Sequence, residues 1–169
     1  TAFGPLAGGN LTTLCHLLGT PFSPEYRGRI LLLEDRGEKT YRIDRMLVQM
    51  KLAGCFDDLA GLVLGDFTDC GDLQQVYRIV RDTLDGRDIP ILAGAALGHG
   101  RTNLTVPLGI PAILVRTTDD DMRSPKKTAL RAVVRRDWRR GGDSNPRGSF
   151  SRLLDFQSSA FSRAQPPLH

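Results

Sequence analysis

Two polar residues stand at positions where this chain could carry out acid–base chemistry. Glu34 directly follows the apolar run Leu31-Leu32-Leu33, at the point where a buried strand would emerge into a loop. Carboxylates at strand ends in α/β folds often face a ligand crevice. His99 lies between Gly98 and Gly100, and glycine lets a backbone turn sharply and a ligand approach closely. Histidine exchanges protons near neutral pH, so His99 is a candidate general base.

Each of these features also has a purely structural interpretation. Glu34 could be a loop carboxylate paired with Arg36 or Arg42, and His99 could be a surface residue in a glycine-rich turn. Gly8-Gly9-Asn10 precedes a predicted helix, so it could bind an anion through backbone N–H groups or simply form a loop and an N-cap. The chain contains no nucleophile elbow, P-loop, zincin or dinucleotide-binding motif. The residues alone therefore leave these alternatives open.

Hydrophobic patterning predicts a mixed α/β fold for the first two thirds of the chain. Apolar residues recur at helical spacing in three segments, with Asn10 as an N-cap and Gly54 as a stop. Short continuous apolar runs predict strands, and the last three follow one another without a helix, which favours a mixed sheet. The predicted helices span residues 10–18, 41–52 and 72–84, and the predicted strands span residues 29–34, 60–64, 90–93, 104–107 and 112–115.

Charge divides the chain into two parts. Residues 1–115 carry 11 basic and 13 acidic side chains, whereas residues 116–169 carry 12 basic and 6 acidic ones and lack Ile, Glu and Tyr. From Arg139 onward Ser, Arg, Gly and Pro dominate, a composition that buries too little apolar surface to offset chain entropy. We therefore predict a folded domain over residues 1–116 and a poorly ordered basic tail over residues 117–169.

Composition excludes several protein classes and suggests a compartment. Apolar residues make up 40% and charged residues 25%, near the globular average, and no apolar run approaches the length of a membrane span. The three cysteines are odd in number and form no C-x-x-C, which suggests a reducing compartment such as the cytoplasm and argues against a cysteine-rich zinc site. Because the chain begins with Thr1, we expect that its start has been removed or that it is a fragment.

The ordered series of motifs over residues 4–115 resembles the C-terminal domain of the LD-carboxypeptidases. These are serine peptidases that trim murein tetrapeptides, and their relatives include the microcin C immunity peptidases. The matching segments are Gly4-Pro5-Leu6-Ala7-Gly8-Gly9-Asn10-Leu11, Leu17-Leu18-Gly19-Thr20-Pro21, Gly28-Arg29-Ile30-Leu31-Leu32-Leu33-Glu34-Asp35, Tyr41-Arg42-Ile43-Asp44-Arg45-Met46-Leu47, Leu64-Gly65-Asp66-Phe67-Thr68-Asp69-Cys70, Pro90-Ile91-Leu92-Ala93-Gly94 and Gly98-His99-Gly100 with Asn103.

The resemblance implies a β/β/α swivelling-type domain that packs beside an N-terminal flavodoxin-like domain. It implies a Ser-Glu-His triad in which Glu34 orients His99, and His99 accepts and returns the nucleophile's proton. The implied reaction is hydrolysis of an L-to-D peptide bond in a murein peptide, which releases a terminal D-alanine through an acyl-enzyme. The resemblance implies no metal or organic cofactor, and family members are often homodimers.

The family's nucleophile belongs to the N-terminal domain, and no serine of this chain lies in a comparable turn. We therefore expect the chain to be inactive alone. The run from Arg139 to Arg147 resembles peptides obtained when a transfer-RNA gene is translated, so the tail after residue 117 is interpreted as disordered or read-through sequence outside the family.

Three alternative functions remain open at this stage. A microcin-immunity-type peptidase would cleave a peptidyl-nucleotide instead of a murein peptide. A non-catalytic module would bind anionic peptide termini through Gly8, Gly9, Asn10 and the His99 loop without turnover. The basic tail could contact nucleic acid through its charge and its aromatic residues, although no binding signature accompanies them and Asp119-Asp120-Asp121 would oppose it. We rank the peptidase first and expect neither nucleic acid nor membrane as a partner.

Overall fold

Helices and strands alternate through the first half of the chain, and strands alone follow. The computed structural model describes residues 1–117, 127–134 and 152–158. The elements in chain order are β1 (Ala2–Asn10), α1 (Leu11–Leu17), β2 (Ile30–Arg36), α2 (Thr40–Leu52), β3 (Gly61–Thr68), α3 (Leu73–Thr83), β4 (Ile91–Ala93), β5 (Pro111–Thr117), β6 (Lys127–Val134) and β7 (Arg152–Ser158).

The strands form one mixed sheet of seven strands in the order β4-β3-β2-β1-β5-β6-β7. Strands β1 to β4 pair in parallel, whereas β5 is antiparallel to β1 and β5, β6 and β7 pair antiparallel to one another. The mixed α/β class predicted from the sequence is thus confirmed. Because the four parallel strands end at one edge of the sheet, the loops that follow them meet there.

Strand β2 is buried on both faces. Leu31 and Leu33 belong to the core cluster that includes apolar residues of α1, α2 and α3, whereas Ile30 and Leu32 belong to a second cluster on the other face. Burial on both faces explains why the apolar run in this strand is continuous instead of alternating. The second cluster is covered in part by the segment after β4, which contributes Ala95 and Leu97.

The predicted helices form close to their predicted bounds. Side-chain caps begin α1 and α3, whereas α2 begins at Lys39 without one. The Asp72 carboxylate accepts a hydrogen bond from the Gln74 amide at 3.0 Å and starts α3. Gly54 adopts φ 74° just after α2, a left-handed conformation that glycine reaches without steric cost. Within the described ranges no helix has both the length and the apolar character needed to cross a lipid bilayer.

One strand was missed and one strand prediction was wrong. Residues 2–10 form β1, where the sequence analysis assigned no element. Residues 104–107 form no strand, and the side chain of Leu104 is exposed while Val106 packs partly against the second core cluster. The Leu104 amide donates instead to the Ala96 carbonyl at 2.9 Å, so this segment closes the preceding loop and joins no strand ladder.

Two strands lie in the segment that the sequence analysis assigned to the tail. Strand β6 pairs with β5 through Ala112 opposite Ala132, and β7 pairs with β6 through Leu130 opposite Phe156. The sequence analysis assigned no element to residues 117–169. The rest of that tail lies outside the described residues, so its assignment as non-family sequence stays a prediction, as does the domain boundary at residue 116.

Candidate active site

Glu34 and His99 form a hydrogen-bonded pair at the carboxyl edge of the parallel strands. Nδ1 of His99 lies 2.7 Å from Oε2 of Glu34, although 65 positions separate the two residues. The Glu34 side chain is 7% exposed, whereas the imidazole is 49% exposed. A buried carboxylate therefore holds one nitrogen of a histidine whose other side is open to solvent.

The contact with Glu34 determines what the imidazole can do. A carboxylate is acceptor-only, so Nδ1 carries the proton in this pair and Nε2 carries the lone pair of the neutral ring. Within the described residues, no hydrogen bond is made to Nε2 of His99. The ring is thereby presented as a base whose acceptor nitrogen is free to receive a proton from another group.

Two glycines make room for the Glu34 side chain. A Cβ on Gly98 would lie 2.8 Å from both Cγ and Cδ of Glu34, and Gly98 also has φ 108°. A Cβ on Gly65 in β3 would lie 3.1 Å from the Glu34 Cβ and would overlap the Leu97 carbonyl oxygen. Any larger residue at either position would displace the carboxylate or the loop that carries His99.

The loop that carries His99 is fastened to the end of the sheet by backbone contacts. The amide of Asp66 in β3 donates to the Leu97 carbonyl at 2.7 Å. The Gly98 amide donates to Oδ1 of Asn103 at 3.1 Å, and the Leu104 amide donates to the Ala96 carbonyl at 2.9 Å. The loop therefore closes on itself behind the histidine.

The arginine pairing considered for Glu34 was wrong. Arg36 pairs with Asp69 at 3.7 Å, and Arg42 pairs with Glu38 at 3.4 Å. Glu34 is itself buried, and its carboxylate contacts His99.

Asn10 caps the first helix as predicted. Its Oδ1 accepts from the Thr13 amide at 2.9 Å, and its Nδ2 donates to Asp35 at 3.0 Å. Gly9 has φ 148°, and a Cβ there would meet nothing within 4 Å. Asn10 lies opposite Glu34 in the β1–β2 register, and Gly9 lies opposite Leu33. The assignment of Gly9 and Asn10 to substrate binding stays a prediction.

Asp35 is a buried residue whose importance the sequence analysis missed. It is 2% exposed, and its carboxylate accepts from the amide and hydroxyl of Thr12 at 2.9 and 2.8 Å and from the Arg36 amide at 2.7 Å. This internal carboxylate accepts from the first turn of α1 and so occupies the positive end of that helix. The signal was present in the sequence as a second acidic residue directly after Glu34.

Asp66 is a second carboxylate that the sequence analysis did not single out as a site residue. Burial and the nearby charge of Glu34 raise its pKa, and the Gly100 amide opposes part of that rise. Asp66 borders a cavity of about 160 Å³. Within the described residues, no three His, Cys, Asp or Glu side chains are grouped so as to hold a metal ion. The cavity is lined by Gly65, Asp66, Phe67, Thr68, Leu73, Tyr77 and Gly94.

Comparison with known proteins assigns the chain to a family. The model of the LD-carboxypeptidase C-terminal domain matches residues 3–114, about two thirds of the chain. This chain belongs to the LD-carboxypeptidase family. The match includes both Glu34 and His99 and ends within β5.

Several members of the LD-carboxypeptidase family are similar to this chain. A "Probable murein peptide carboxypeptidase" of Bacillus subtilis is 37% identical over 134 residues, which cover 76% of this chain and 40% of that protein. The microcin C7 self-immunity protein MccF of Escherichia coli is 36% identical over 111 residues, covering 63% and 32%. The crystal structure of muramoyltetrapeptide carboxypeptidase from Oxalobacter formigenes superposes with a TM-score of 0.61 at 34% identity, covering 68% of this chain and 42% of that one. The chain thus spans between 32% and 42% of the length of these relatives.

Proposed function

We propose that this chain supplies the histidine and glutamate of a serine-type LD-carboxypeptidase that releases D-alanine from murein tetrapeptide. The observation that carries the proposal is the 2.7 Å contact between His99 and the buried Glu34, with Nε2 left open. Family membership and the murein peptide relatives support the substrate class. We place the activity in cell-wall recycling in the cytoplasm.

The proposed mechanism assigns one proton path to His99. Nε2 accepts the proton of a serine hydroxyl as its oxygen attacks the carbonyl carbon of the L-to-D bond. The imidazolium, stabilised by Glu34, then gives that proton to the amine of the departing D-alanine, which leaves an acyl-enzyme. Water hydrolyses the ester by the same path in reverse and regenerates the serine.

We further propose that the serine comes from the family's N-terminal domain and that this chain is inactive alone. Ser23 is the one serine in residues 1–117, and it lies exposed in the turn after α1, where its amide donates to Thr20 at 3.1 Å. Within the described residues, no hydrogen bond joins a serine to His99. A base without a nucleophile in contact has nothing to activate.

A covalent chimera tests the proposal. The N-terminal segment of the Bacillus subtilis relative is joined to this full chain at the point where the match begins, and D-alanine release from murein tetrapeptide is measured. The full-length relative serves as the positive control. We expect release from the chimera, none from this chain alone, and a loss of about 100-fold or more in His99→Ala.

Other outcomes of the chimera experiment contradict the proposal. Release of D-alanine by this chain alone would mean that it contains its own nucleophile. Tetrapeptide binding by a folded chimera without turnover would favour a non-catalytic binding module.

The similarity to MccF supports a second candidate, a peptidase that acts on a peptidyl-nucleotide. The two types of relative are almost equally identical to this chain, at 37% and 36%. MccF has been solved in complex with aspartyl sulfamoyl adenosine. Cleavage of that compound by the chimera, with no release from tetrapeptide, would favour this second function.

A further inference from the structure

Gly100 follows His99 as Gly98 precedes it, and a different carboxylate occupies the space that a side chain at position 100 would need. A Cβ on Gly100 would lie 2.5 Å from Cγ and 3.0 Å from Oδ1 of Asp66, and it would overlap Oδ2. The backbone of Gly100 lies outside the left-handed region, so its conformation does not call for glycine. Glycine is needed there because the Asp66 side chain takes the space that a Cβ atom would fill.

Each of the two glycines beside His99 therefore packs against one carboxylate. The Glu34 carboxylate fills the space at Gly98, and the Asp66 carboxylate fills the space at Gly100. Glu34 comes from the end of β2 and Asp66 from the end of the neighbouring strand β3. A loop supported at both sides of one residue is fixed in rotation as well as in position.

Asp66 has no compensating partner elsewhere among the described residues. Its Oδ2 is buried without a hydrogen-bond partner, and no described ion pair includes it. Burial and the charge of Glu34 both raise the pKa of Asp66, so the position is unfavourable for a carboxylate. A residue that served only to fill this space could be apolar at lower cost. The interaction of the carboxylate with the Gly100 amide, which lowers the pKa of Asp66, is the feature that an apolar residue would not reproduce.

We propose that Asp66 is a positioning residue for His99, because its carboxylate supports Gly100 and thereby fixes the direction of the imidazole toward Glu34. The loop geometry stands by itself, whereas the catalytic consequence rests on the proposed function. Asp66 acts through the loop and makes no contact with substrate.

Nitrogen-15 chemical shifts of the His99 ring test the structural half of the proposal in this chain. We expect the Nδ1-protonated tautomer in the wild type and a mixture of tautomers in Asp66→Ala. Asp66→Asn keeps the shape of the side chain and an oxygen acceptor, so it should retain the wild-type tautomer. Asp82→Ala, an exposed carboxylate on α3, is the control and should change nothing.

A second pair of variants tests the contact between Asp66 and Gly100. Gly100→Ala should disturb the His99 ring in the wild type, since its methyl group collides with the carboxylate. In the Asp66→Ala background the same substitution should add no further effect, because the space is then free. Equal effects of Gly100→Ala in both backgrounds would overturn the contact.

Kinetics of the chimera test the catalytic half of the proposal. Misplacing a catalytic group by about 1 Å can cost about 100-fold in rate, so we expect Asp66→Ala to lower kcat about tenfold with KM unchanged within about twofold. Asp66→Asn should restore most of that loss. A rise in KM at constant kcat would overturn the proposal and make Asp66 a substrate contact.

The two proposals fail in different ways. If the wild-type chimera releases no D-alanine, the proposed function fails, while the ring shifts still decide whether Asp66 positions His99. An unchanged tautomer in a folded Asp66→Ala chain would overturn the positioning role even in an active enzyme.

Discussion

Glu34 and Asp35 are adjacent in β2, yet their carboxylates hold different parts of the molecule. Glu34 binds His99 at 2.7 Å, and Asp35 binds Thr12 at the start of α1 at 2.8 and 2.9 Å. The β2–β3 register shifts between Leu33 and Asp35, at this pair of residues. Such an irregularity re-aims side chains at the end of a strand. One dipeptide therefore serves both the candidate site and the stability of the fold.

Asp35→Ala should destabilise the chain far more than Glu34→Gln does. The first substitution removes a buried acceptor of four hydrogen bonds and leaves their donors unpaired, a loss of about 2–4 kcal/mol in the free energy of unfolding. The second keeps the size of a side chain that makes a single hydrogen bond to a half-exposed ring. Urea denaturation measures both, and equal losses would contradict this division of roles.

Gly98→Ala should disrupt the Glu34–His99 contact. The new methyl group would enter the space of the Glu34 carboxylate, and the backbone at φ 108° would be strained. Gly86→Ala is the matched control, because Gly86 has φ 78° but open space around its Cβ position. We expect a cost of about 1 kcal/mol for the control and a clearly larger one for Gly98→Ala. Ring shifts of His99 that stay at their wild-type values in Gly98→Ala would refute the steric argument.

The sequence predicted the elements that have strong local signals. It did not predict the elements whose formation depends on pairing with a distant strand. Helix α3 follows from the Asp72 cap and its apolar face, which lie within one segment. Strand β1 contains Gly8 because a Cβ there would lie 2.8 Å from the Leu32 amide nitrogen, a requirement imposed by a neighbouring strand. No local pattern reveals such a requirement, since the partner strand is about 20 residues away in sequence.

Alkaline pH should destabilise the native chain through Cys15. Burial, together with the nearby charges of Cys55 and Asp35, raises the pKa of the Cys15 thiol to about 11 from 9.0. The unfolded chain loses this proton first, so the stabilisation is fully present below pH 9 and is lost as pH rises toward 11. The Cys15→Ala variant should lose stability less steeply, by up to about 1.4 kcal/mol per pH unit. Parallel urea titrations at pH 8, 9 and 10 compare the two, and identical slopes would contradict the assignment.

At acidic pH, Asp66 should also make the stability of the native chain fall as pH rises. Its raised pKa means that the native state holds the proton to higher pH than the unfolded chain does. Stability from this group is therefore greatest below the unfolded pKa and falls as pH rises through the native one. Asp66→Asn should gain stability relative to the wild type as pH rises from below the ordinary carboxyl pKa of 3.8 to neutral pH, by at most about 1.4 kcal/mol per pH unit. Urea denaturation of both proteins over that range measures the difference. If the pKa of Asp66 were the same in the native and unfolded states, the difference in free energy of unfolding would not change with pH.

The candidate site could be located from the sequence only through the resemblance. Glu34 alone fitted an arginine pair, and His99 alone fitted a surface turn; nothing local joins two residues 65 positions apart. Asp66 could not have been found in this way. The need for glycine at position 100 becomes visible only when the distance between β3 and the His99 loop is known. Long-range packing, not residue type, carries that information.

In the proposed mechanism Glu34 acts on the reaction only through His99. In the chimera, D-alanine release is measured for Glu34→Gln, His99→Ala and the double variant, with Asp69→Asn as an exposed carboxylate control. Groups that work as a unit give non-additive losses. We predict that the double variant is no slower than His99→Ala alone and that the control is unchanged. If the double variant instead shows the product of the two separate losses, Glu34 acts independently of the histidine and the claim is wrong.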